Sequence, residues 1–253
     1  QKKLDFSMLA NGKRSCRKNG IQLSRLSEFV GNFHAVLFCP EHLSIVKEGP
    51  SVRRSFLDMA ISQLSPVYLG TLQRYNSILR QRNSLLKQRM FSGKGVDREF
   101  TDMIEIWSDQ LAEEAEYISK ARYEYVKKLE EKTKAVLSDM TQKKDSIEIS
   151  YSKPVDKSVF FEKFTSSLDR EIKAGGTLYG IHRDDMTIKV NEKDARSFSS
   201  QGQQRSAALA MKLSEGEIVR DDIGEYPVFL LDDILSELDD SRKSYILKGL
   251  SER

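Results

Sequence analysis

The sequence is poor in the residues from which disulfide frameworks and zinc sites are built. Its 253 residues include two cysteines, Cys16 and Cys39, and three histidines that are scattered along the chain. Two distant thiols exclude a disulfide-stapled scaffold and a paired-cysteine metal motif, and they are typical of a reducing compartment. Because the histidines are scattered along the chain and the two cysteines are far apart, a dedicated zinc site is not expected.

Long apolar runs and a large excess of one charge are also lacking. The uninterrupted apolar stretches, such as Val228–Leu231, are far shorter than the roughly 20 residues of a membrane helix. The 41 lysines and arginines nearly balance the 38 aspartates and glutamates, so the net charge of +3 indicates neither a nucleic acid nor a membrane as partner. We predict a folded cytoplasmic protein with no membrane association, whose hydrophobic fraction of 39% is sufficient for a core.

Apolar periodicity divides the chain into strand-containing ends and a helical middle. Alternating apolar residues and the turn signal Asn11-Gly12 predict a β-hairpin over residues 1–22. The other predicted elements of the ends are a helix near residues 24–30, a strand at 34–39, a strand at 147–151, a helix at 158–173 and a strand at 186–190. Between them, three- and four-residue apolar spacings predict a long antiparallel helical hairpin. We predict a mixed α/β lobe, residues 1–50 and 145–253, with an inserted helical lobe of residues 51–144.

Basic residues are concentrated on the first helix of the predicted hairpin. Residues 59–96 hold six basic side chains and no acidic one, whereas residues 97–117, on the helix that folds back beside it, hold eight acidic side chains and one basic one. We predict charge pairing between the two helices through Arg80, Lys87 and Lys94, which are seven residues apart on the flank of the apolar stripe. Nucleic-acid binding by this basic stretch is the alternative.

Two other basic clusters have no such acidic stretch opposite them in the sequence. The first cluster lies in the predicted β-hairpin and consists of Lys13, Arg14, Arg17 and Lys18. The second lies toward the end of the second long helix and consists of Lys120, Arg122, Lys127, Lys128, Lys132 and Lys134. Lysine and arginine near a DNA duplex gain affinity by releasing counterions. The candidate DNA-binding residues are therefore Lys13, Arg14, Arg17, Lys18, Lys127 and Lys128, with a solvated surface as the alternative.

Two acidic residues follow a short apolar strand near the end of the sequence. Val228–Leu231 leads directly into Asp232 and Asp233, which places two carboxylates where open α/β sheets bind ligands. A magnesium ion beside a nucleotide needs a hard anionic oxygen, which Asp232 would supply, while Asp233 would orient or deprotonate water. The alternative is that these acids cap an ordinary helix.

A polar, glycine-containing run precedes the last long helical pattern. Ser200 offers a hydroxyl, Gly202 permits close approach of the backbone to an anion, and the helix that begins there would direct its free amides toward a phosphate. A polar loop with a good helix cap is the alternative. The occurrence of this run before the acidic strand end, with Ser236-Glu-Leu-Asp239 after it, favours a nucleotide site.

Four segments together resemble the RecF family, the bacterial recombination and gap-repair ATPases. They are EGPSVRRSFLD at residues 48–58, YGIHRDDM at 179–186, FSSQGQQRSAALAMKL at 198–213 and LLDDILSELDDSR at 230–242. The resemblance runs over nearly the whole chain. It implies an ABC-type ATPase head similar to those of the SMC proteins, with an inserted antiparallel helical lobe and ATP and Mg²⁺ as cofactors.

The resemblance also implies roles for particular residues and partners. In this sequence the signature motif corresponds to Ser200, Gly202 and Gln203, the magnesium ligand to Asp232, the catalytic residue to Asp233, and the D-loop to the segment with Ser236 and Asp239. ATP would join two heads into a homodimer that clamps double-stranded or gapped DNA, and partners of the RecO and RecR type would help to load recombinase. DNA replication, recombination, repair and the SOS response are the implied processes.

Some expected family motifs are missing or altered. No G-x-x-x-x-G-K-[ST] phosphate loop occurs, and Asn11-Gly12-Lys13-Arg14 lacks both the first glycine and the hydroxyl, so this loop is expected before residue 1 and the chain alone is expected to be inactive. The family's G-P-H-R is Gly180-Ile181-His182-Arg183 here. The rival hypotheses are a non-catalytic helical module that binds DNA or protein and another SMC-like chromosome ATPase head.

Overall fold

A computed structural model of the chain describes residues 3–12, 14–93, 95–232 and 239–251. The strands are β1 (Leu4–Met8), β2 (Arg14–Lys18), β3 (Ile21–Gln22), β4 (Ala35–Phe38), β5 (Ile147–Tyr151), β6 (Met186–Val190), β7 (Lys193–Asp194) and β8 (Val228–Leu231). The helices are α1 (Ser44–Lys47), α2 (Pro50–Leu64), α3 (Pro66–Ser92), α4 (Arg98–Met140), α5 (Lys157–Ser166), α6 (Leu168–Ala174), α7 (Ala195–Phe198), α8 (Gln201–Ile223) and α9 (Asp240–Ser251).

The first sheet is an antiparallel meander of β1, β2 and β3, in that order. The predicted hairpin is present, with Leu4 opposite Lys18 and Met8 opposite Arg14. A second turn then adds β3, where the prediction extended one strand toward Ile21. The helix predicted near residues 24–30 is a single 3₁₀ turn, Leu26–Glu28.

The second sheet pairs β4 with β8 in parallel, from Ala35 opposite Val228 to Phe38 opposite Leu231. One face of this pair packs into the core, because Val36 and Phe38 on β4 are fully buried. Gly216 on α8 permits the close packing of that helix against β8, since a Cβ at this position would lie 2.5 Å from the ring of Phe229. The sequence separation of the two strands is that of a crossover connection, which parallel pairing requires.

The third sheet has the order β5, β6, β7, with both pairs antiparallel. Its strands β5 and β6 begin and end at the predicted residues. The predicted single helix at 158–173 is instead two helices, α5 and α6, that meet at Ser167.

The helices α3 and α4 form the predicted long antiparallel hairpin, and α4 alone has 43 residues. The main hydrophobic core includes the C-terminal half of α4 together with β4, β5, β6 and α8, whereas Leu86, Phe100 and Ile104 form a smaller cluster near the tip of the hairpin. The division into two lobes with boundaries at residues 51 and 144 stays a prediction. Within the described ranges, none of the helices combines the length and apolarity needed to cross a bilayer.

Charge pairing between α3 and α4 occurs at a different residue from those predicted. Arg74 on α3 makes a bidentate contact with Glu114 on α4, at 2.6 and 2.9 Å. Arg80 and Lys87 are exposed and make no ion pair with any residue that the structure describes, and Lys94 lies outside the described residues. The prediction was therefore right about the type of contact and wrong about Arg80 and Lys87.

Candidate functional site

The carboxyl end of β8 presents Asp232 to solvent. Its amide donates to the carbonyl of Phe38 at 2.8 Å, so Asp232 continues the parallel ladder directly beyond the last paired residues. A carboxylate at this edge is where open α/β sheets bind ligands, and its oxygens are of the type that Mg²⁺ prefers. Asp233 and Ser236, the predicted catalytic and D-loop residues, lie outside the described residues.

Asp239, the other predicted D-loop residue, caps helix α9. Its carboxylate accepts from the amide of Arg242 at 2.9 Å and also contacts the guanidinium of the same residue. Asp239 therefore acts as a helix cap. Asp232 lies in the ladder of the sheet, and the helix-cap alternative for Asp232 and Asp233 depends on residues 233–238, which lie outside the described residues.

The segment after β4 lies beside this edge. Cys39 and the 3₁₀ turn Pro40–Leu43 follow Phe38, and the amide of Cys39 donates to Nδ1 of His42 at 3.3 Å. Burial, together with the nearby charge of Lys212 on α8, lowers the pKa of His42 to about 4. His42 is therefore a neutral hydrogen-bond acceptor at neutral pH.

A cavity of about 360 Å³ opens next to this turn, between β4, α2 and α8. Its walls are mostly apolar, with Phe56 and Met59 on the α2 side. At one end lies a buried ion pair in which Lys212 Nζ is 2.5 Å from Glu215. Glu41, in the turn after β4, lines the same cavity.

The start of α8 has the geometry of a capping box. The hydroxyl of Ser200 accepts from the amide of Gln203 at 3.2 Å, and the side-chain carbonyl of Gln203 accepts from the amide of Ser200 at 3.0 Å. Helix geometry leaves the amides of Gln201 and Gly202 without an intrahelical acceptor. Because Ser200 and Gln201 are exposed, these amides and the hydroxyl proton of Ser200 are available to an anion at the positive end of a 23-residue helix.

Among the residues that the structure describes, Gly202 has no neighbour that requires a glycine. A Cβ at this position would meet only the Ser200 hydroxyl, at 4.0 Å, and the backbone is in the ordinary helical region. Open space over Gly202 is compatible with the predicted approach of a ligand.

Gln203 also contacts a residue that the sequence did not single out. Its side-chain amide donates to Asp145 at 2.9 Å, and Asp145 in turn accepts from Asn191 at 2.8 Å. Neither Asp145 nor Asn191 belongs to a motif, and no local pattern links residues separated by more than forty positions in the chain.

The signature residues and the acidic strand end lie apart within one chain. Ala208 on α8 lines the small cavity that Phe38 and Cys39 at the end of β4 also line. Ser200 is eight residues before Ala208, which places it about 12 Å farther along the helix axis. This spacing places the start of α8 apart from the carboxyl end of β8 within one copy.

The two segments EGPSVRRSFLD and YGIHRDDM contact one another. Arg53 makes two 2.7 Å hydrogen bonds to the carboxylate of Asp185, and Arg54 donates to the carbonyl of Asp184 at 2.7 Å. Gly180 has a φ of +123°, and a Cβ there would lie 2.6 Å from the hydroxyl of Tyr75. The contacts of these segments are internal ones, as expected for a structural role.

The first basic cluster is divided between the two faces of its sheet. Arg14 and Lys18 are on one face of β2 and Arg17 is on the other, because side chains alternate along a strand. Arg14 and Arg17 are exposed, and Arg17 Nε lies 3.4 Å from Gln22. Lys13 lies outside the described residues.

The second basic cluster has acidic partners at the end of α8. Lys128 Nζ lies 2.8 Å from Asp222, and Lys132 pairs with Asp221. The expectation of no acidic neighbour was therefore wrong for these lysines, because α8 packs along α4. Lys127 is exposed, with its ammonium 5.5 Å from the ring centre of Tyr123.

Comparison with known proteins assigns the chain to a family. A curated relative from Staphylococcus carnosus, DNA replication and repair protein RecF, is 40% identical across 99% of this chain and 70% of its own length. The protein of the same name from Clostridium acetobutylicum is 42% identical, across 98% of this chain and 68% of its own length. The chain belongs to the RecF family. No protein-family model matches the sequence.

Solved RecF structures have the same fold. Two of them, described as the recombination mediator protein RecF-ATPrS and RecF-ATP in the RecFOR pathway, superpose with TM-scores of 0.88 and 0.89. Each is 41% identical to this chain and is matched over 98% of this chain and 68% of its own length. The predicted mixed α/β fold of the RecF type is thus confirmed, and the nucleotides in these relatives bear on the function proposed next.

Proposed function

We propose that this chain is part of a DNA-repair ATPase of the RecF type, in which ATP joins two copies and the dimer clamps DNA. The observation that carries the proposal is the separation of the two half-sites, with Asp232 at the sheet edge and the capped, exposed start of α8 elsewhere on the same copy. The family supports it, because relatives are named for DNA replication and repair and solved RecF structures are described as complexes with ATP.

The residues of the two half-sites divide the work between the copies. Asp232 would hold the magnesium ion, Asp233 would orient or deprotonate the attacking water, and Ser236 and Asp239 would belong to the D-loop. The hydroxyl of Ser200 and the amides of Gln201 and Gly202 bind the terminal phosphate held by the other copy. ATP would supply the phosphoanhydride bond, and a magnesium ion held by Asp232 would supply positive charge beside its phosphate oxygens.

DNA contact is assigned to the exposed basic residues outside the ATP site. These are Arg14 and Arg17 on β2 and Lys127 and Lys128 on α4, to which the half-buried Lys18 and the sequence neighbour Lys13 are added. Lys128 is the weaker candidate because Asp222 shares its charge. The preferred DNA has gaps or junctions of single and double strands. Proteins of the RecO and RecR type then help to load recombinase, in the nucleoid region of the cytoplasm.

The test is Ser200→Arg in the full-length protein. A large cation at the helix start displaces the phosphate of the other copy, so we expect ATP binding by the single subunit to persist and ATP-dependent dimerisation to disappear. Calorimetry with ATP and light scattering with and without ATP measure the two quantities. Ser84→Arg, on the exposed face of α3, is the matched control and should dimerise like the wild type.

Retention of the full-length protein on gapped DNA duplex, measured with and without ATP at two salt concentrations, distinguishes the proposed function from the rival hypothesis of a non-catalytic helical module. The wild type should require ATP for retention, whereas a non-catalytic helical module would bind equally well without it. Dimerisation of Ser200→Arg at the wild-type level would overturn the role of the α8 start.

A further inference from the structure

The side chain of Gln203 has both ends of its amide engaged. Its carbonyl oxygen accepts from the amide of Ser200, and its NH₂ group donates to a carboxylate oxygen of Asp145 at 2.9 Å. The first bond is local to the helix cap. The second connects the start of α8 to a loop that belongs to a different part of the chain, the segment between α4 and β5.

Asp145 is held in place by the turn on its other side. The same carboxylate oxygen accepts from the side-chain amide of Asn191 at 2.8 Å, and the backbone amide of Asp145 donates to the hydroxyl of Thr141 at 3.2 Å. The side-chain carbonyl of Asn191 accepts from the amide of Ser146 at 2.8 Å. Asp145 and Asn191 therefore form a hydrogen-bonded platform beneath Gln203.

Both turns that form the platform adopt left-handed backbone conformations without glycine. Gln142 and Lys143 have φ of 53° and 62°, and Asn191 and Glu192 have φ of 50° and 65°. Such conformations are unfavourable for residues other than glycine. Gln142 and Lys143 precede Asp145 by two or three residues, and Asn191 itself donates to Asp145, so the surrounding structure holds both turns against a local cost.

We propose that Asp145 is a positioning residue, which keeps Gln203 and the start of α8 in the geometry that binds the nucleotide of the other copy. This inference rests on the proposed function and adds to it the platform of Asp145 and Asn191. The platform follows the last turn of α4 by a few residues, so a displacement of that 43-residue helix moves Asp145 and with it the signature residues.

The size of the effect follows from symmetry. A dimer uses two signature motifs, one from each copy, so a loss of pre-organisation weakens dimerisation once for each motif. If Gln203 without Asp145 keeps the competent geometry about one third of the time, the apparent dissociation constant of the dimer rises about tenfold. ATP binding by the separate subunit does not involve this helix start and stays the same.

The experiment uses three variants of the full-length protein. Asp145→Ala removes the acceptor and should weaken ATP-dependent dimerisation about tenfold, while ATP affinity of the separate subunit changes less than twofold. Asp145→Asn keeps an acceptor oxygen and should dimerise within about threefold of the wild type. Asp139→Ala, which removes an exposed carboxylate six residues earlier, is the matched control and should match the wild type.

The outcomes distinguish the inference from the function on which it rests. Absence of an ATP-dependent dimer in the wild type would defeat the proposed function itself. A wild-type dimer with unchanged dimerisation of Asp145→Ala overturns the positioning role alone, and so does an equal loss in Asp145→Ala and Asp145→Asn. Thermal unfolding checks that each variant is folded. If Asp145→Ala is unfolded, Asp145→Ser, which keeps a shorter polar group, replaces it under the same criteria.

Discussion

Two buried arginines fasten the α3–α4 hairpin to the rest of the chain in different ways. Arg82 on α3 and Glu171 on α6 form an ion pair in which both side chains are fully buried, with Nη2 2.6 Å from the carboxylate. The remaining donors of Arg82 reach the hydroxyls of Ser108 and Thr177, and the ring of Phe164 lies over the guanidinium. This site is closed to water and has one counter-charge.

Arg122 on α4 has a shared and partly hydrated set of partners. Its guanidinium lies 2.8 Å from Asp58, whose side chain is 23% exposed, and donates to the carbonyl of Ile181 at 2.8 Å. The hydroxyls of Tyr68 and Tyr151 complete the site at 3.0 and 3.3 Å. Arg122 therefore joins α2, α3, β5 and the YGIHRDDM segment at one point.

The difference between the two sites shows that burial alone does not determine how much a charged residue contributes to the free energy of unfolding. When one partner of a fully buried ion pair is removed, the other charge stays buried without a counter-charge. When the partners reach water or one another, the remaining groups are hydrated or form new hydrogen bonds after the removal. We therefore expect the Arg82 site to be the more sensitive of the two.

The largest effect is expected for Glu171→Gln. The variant keeps the shape of the side chain but leaves the Arg82 charge without a counter-charge in a fully buried site, so the free energy of unfolding should fall by about 3–5 kcal/mol. The shift of the urea midpoint at constant m-value measures it. Glu113→Gln is the control, because its carboxylate is 70% exposed and 3.6 Å from Lys157, and it should change stability by less than about 1 kcal/mol. A decrease of less than about 1 kcal/mol for Glu171→Gln would show that the Arg82–Glu171 pair is accessible to water.

A smaller loss is expected for Arg122→Met. Asp58 reaches water and keeps the hydrogen bond from the hydroxyl of Tyr68, at 2.6 Å, so the main cost is the unpaired carbonyl of Ile181, at about 1–3 kcal/mol. The same urea titration measures it. Arg74→Met removes an exposed arginine paired with Glu114 and serves as the control, with an expected loss below about 1 kcal/mol. A loss larger than that of Glu171→Gln would reverse the order of the two sites.

Much of the fold follows from local patterns in the sequence. The polar run at Ser200 indicates the start of helix α8, with a helix cap as one of its two interpretations, and an apolar run ending in Asp232 predicts a strand with a carboxylate at its end. Both are present in the structure, because capping and strand alternation depend on residues close together in the chain.

The features that the sequence did not reveal depend on distant partners. Arg122 interrupts an apolar stripe and resembles a surface charge in the sequence, yet Asp58, 64 residues earlier, makes it a core residue. Lys128 resembles a free cation until α8 brings Asp222 beside it. Asp145 has no motif at all, since its role depends on contacts 46 and 58 residues away.

A pH-dependent effect is expected for His182, which lies beside the Arg82 site. Its Nδ1 accepts from the hydroxyl of Tyr75 at 2.6 Å, and its Nε2 donates to the carbonyl of Thr177, whose hydroxyl accepts from Arg82. A carbonyl oxygen can only accept a hydrogen bond, so the proton of the ring lies on Nε2. Nδ1 accepts from Tyr75 and therefore carries no proton, so both hydrogen bonds require the neutral imidazole. Burial, followed by the charges of Arg183 and other arginines, lowers the pKa of His182 from 6.5 to about 4.

The sign of the pH dependence follows from this lowered pKa. Between pH 6.5 and 4 the unfolded chain binds a proton at His182 that the folded chain does not, so this residue makes the free energy of unfolding fall as the pH falls through that window. His182→Gln keeps a donor and an acceptor but does not titrate, so its urea midpoint should fall less between pH 6.5 and 4.5 than that of the wild type. The carboxylates contribute equally to both proteins, and the difference therefore isolates the histidine. An NMR titration of the ring with a midpoint near 6.5 in the folded protein would contradict its burial beside the Arg82 site.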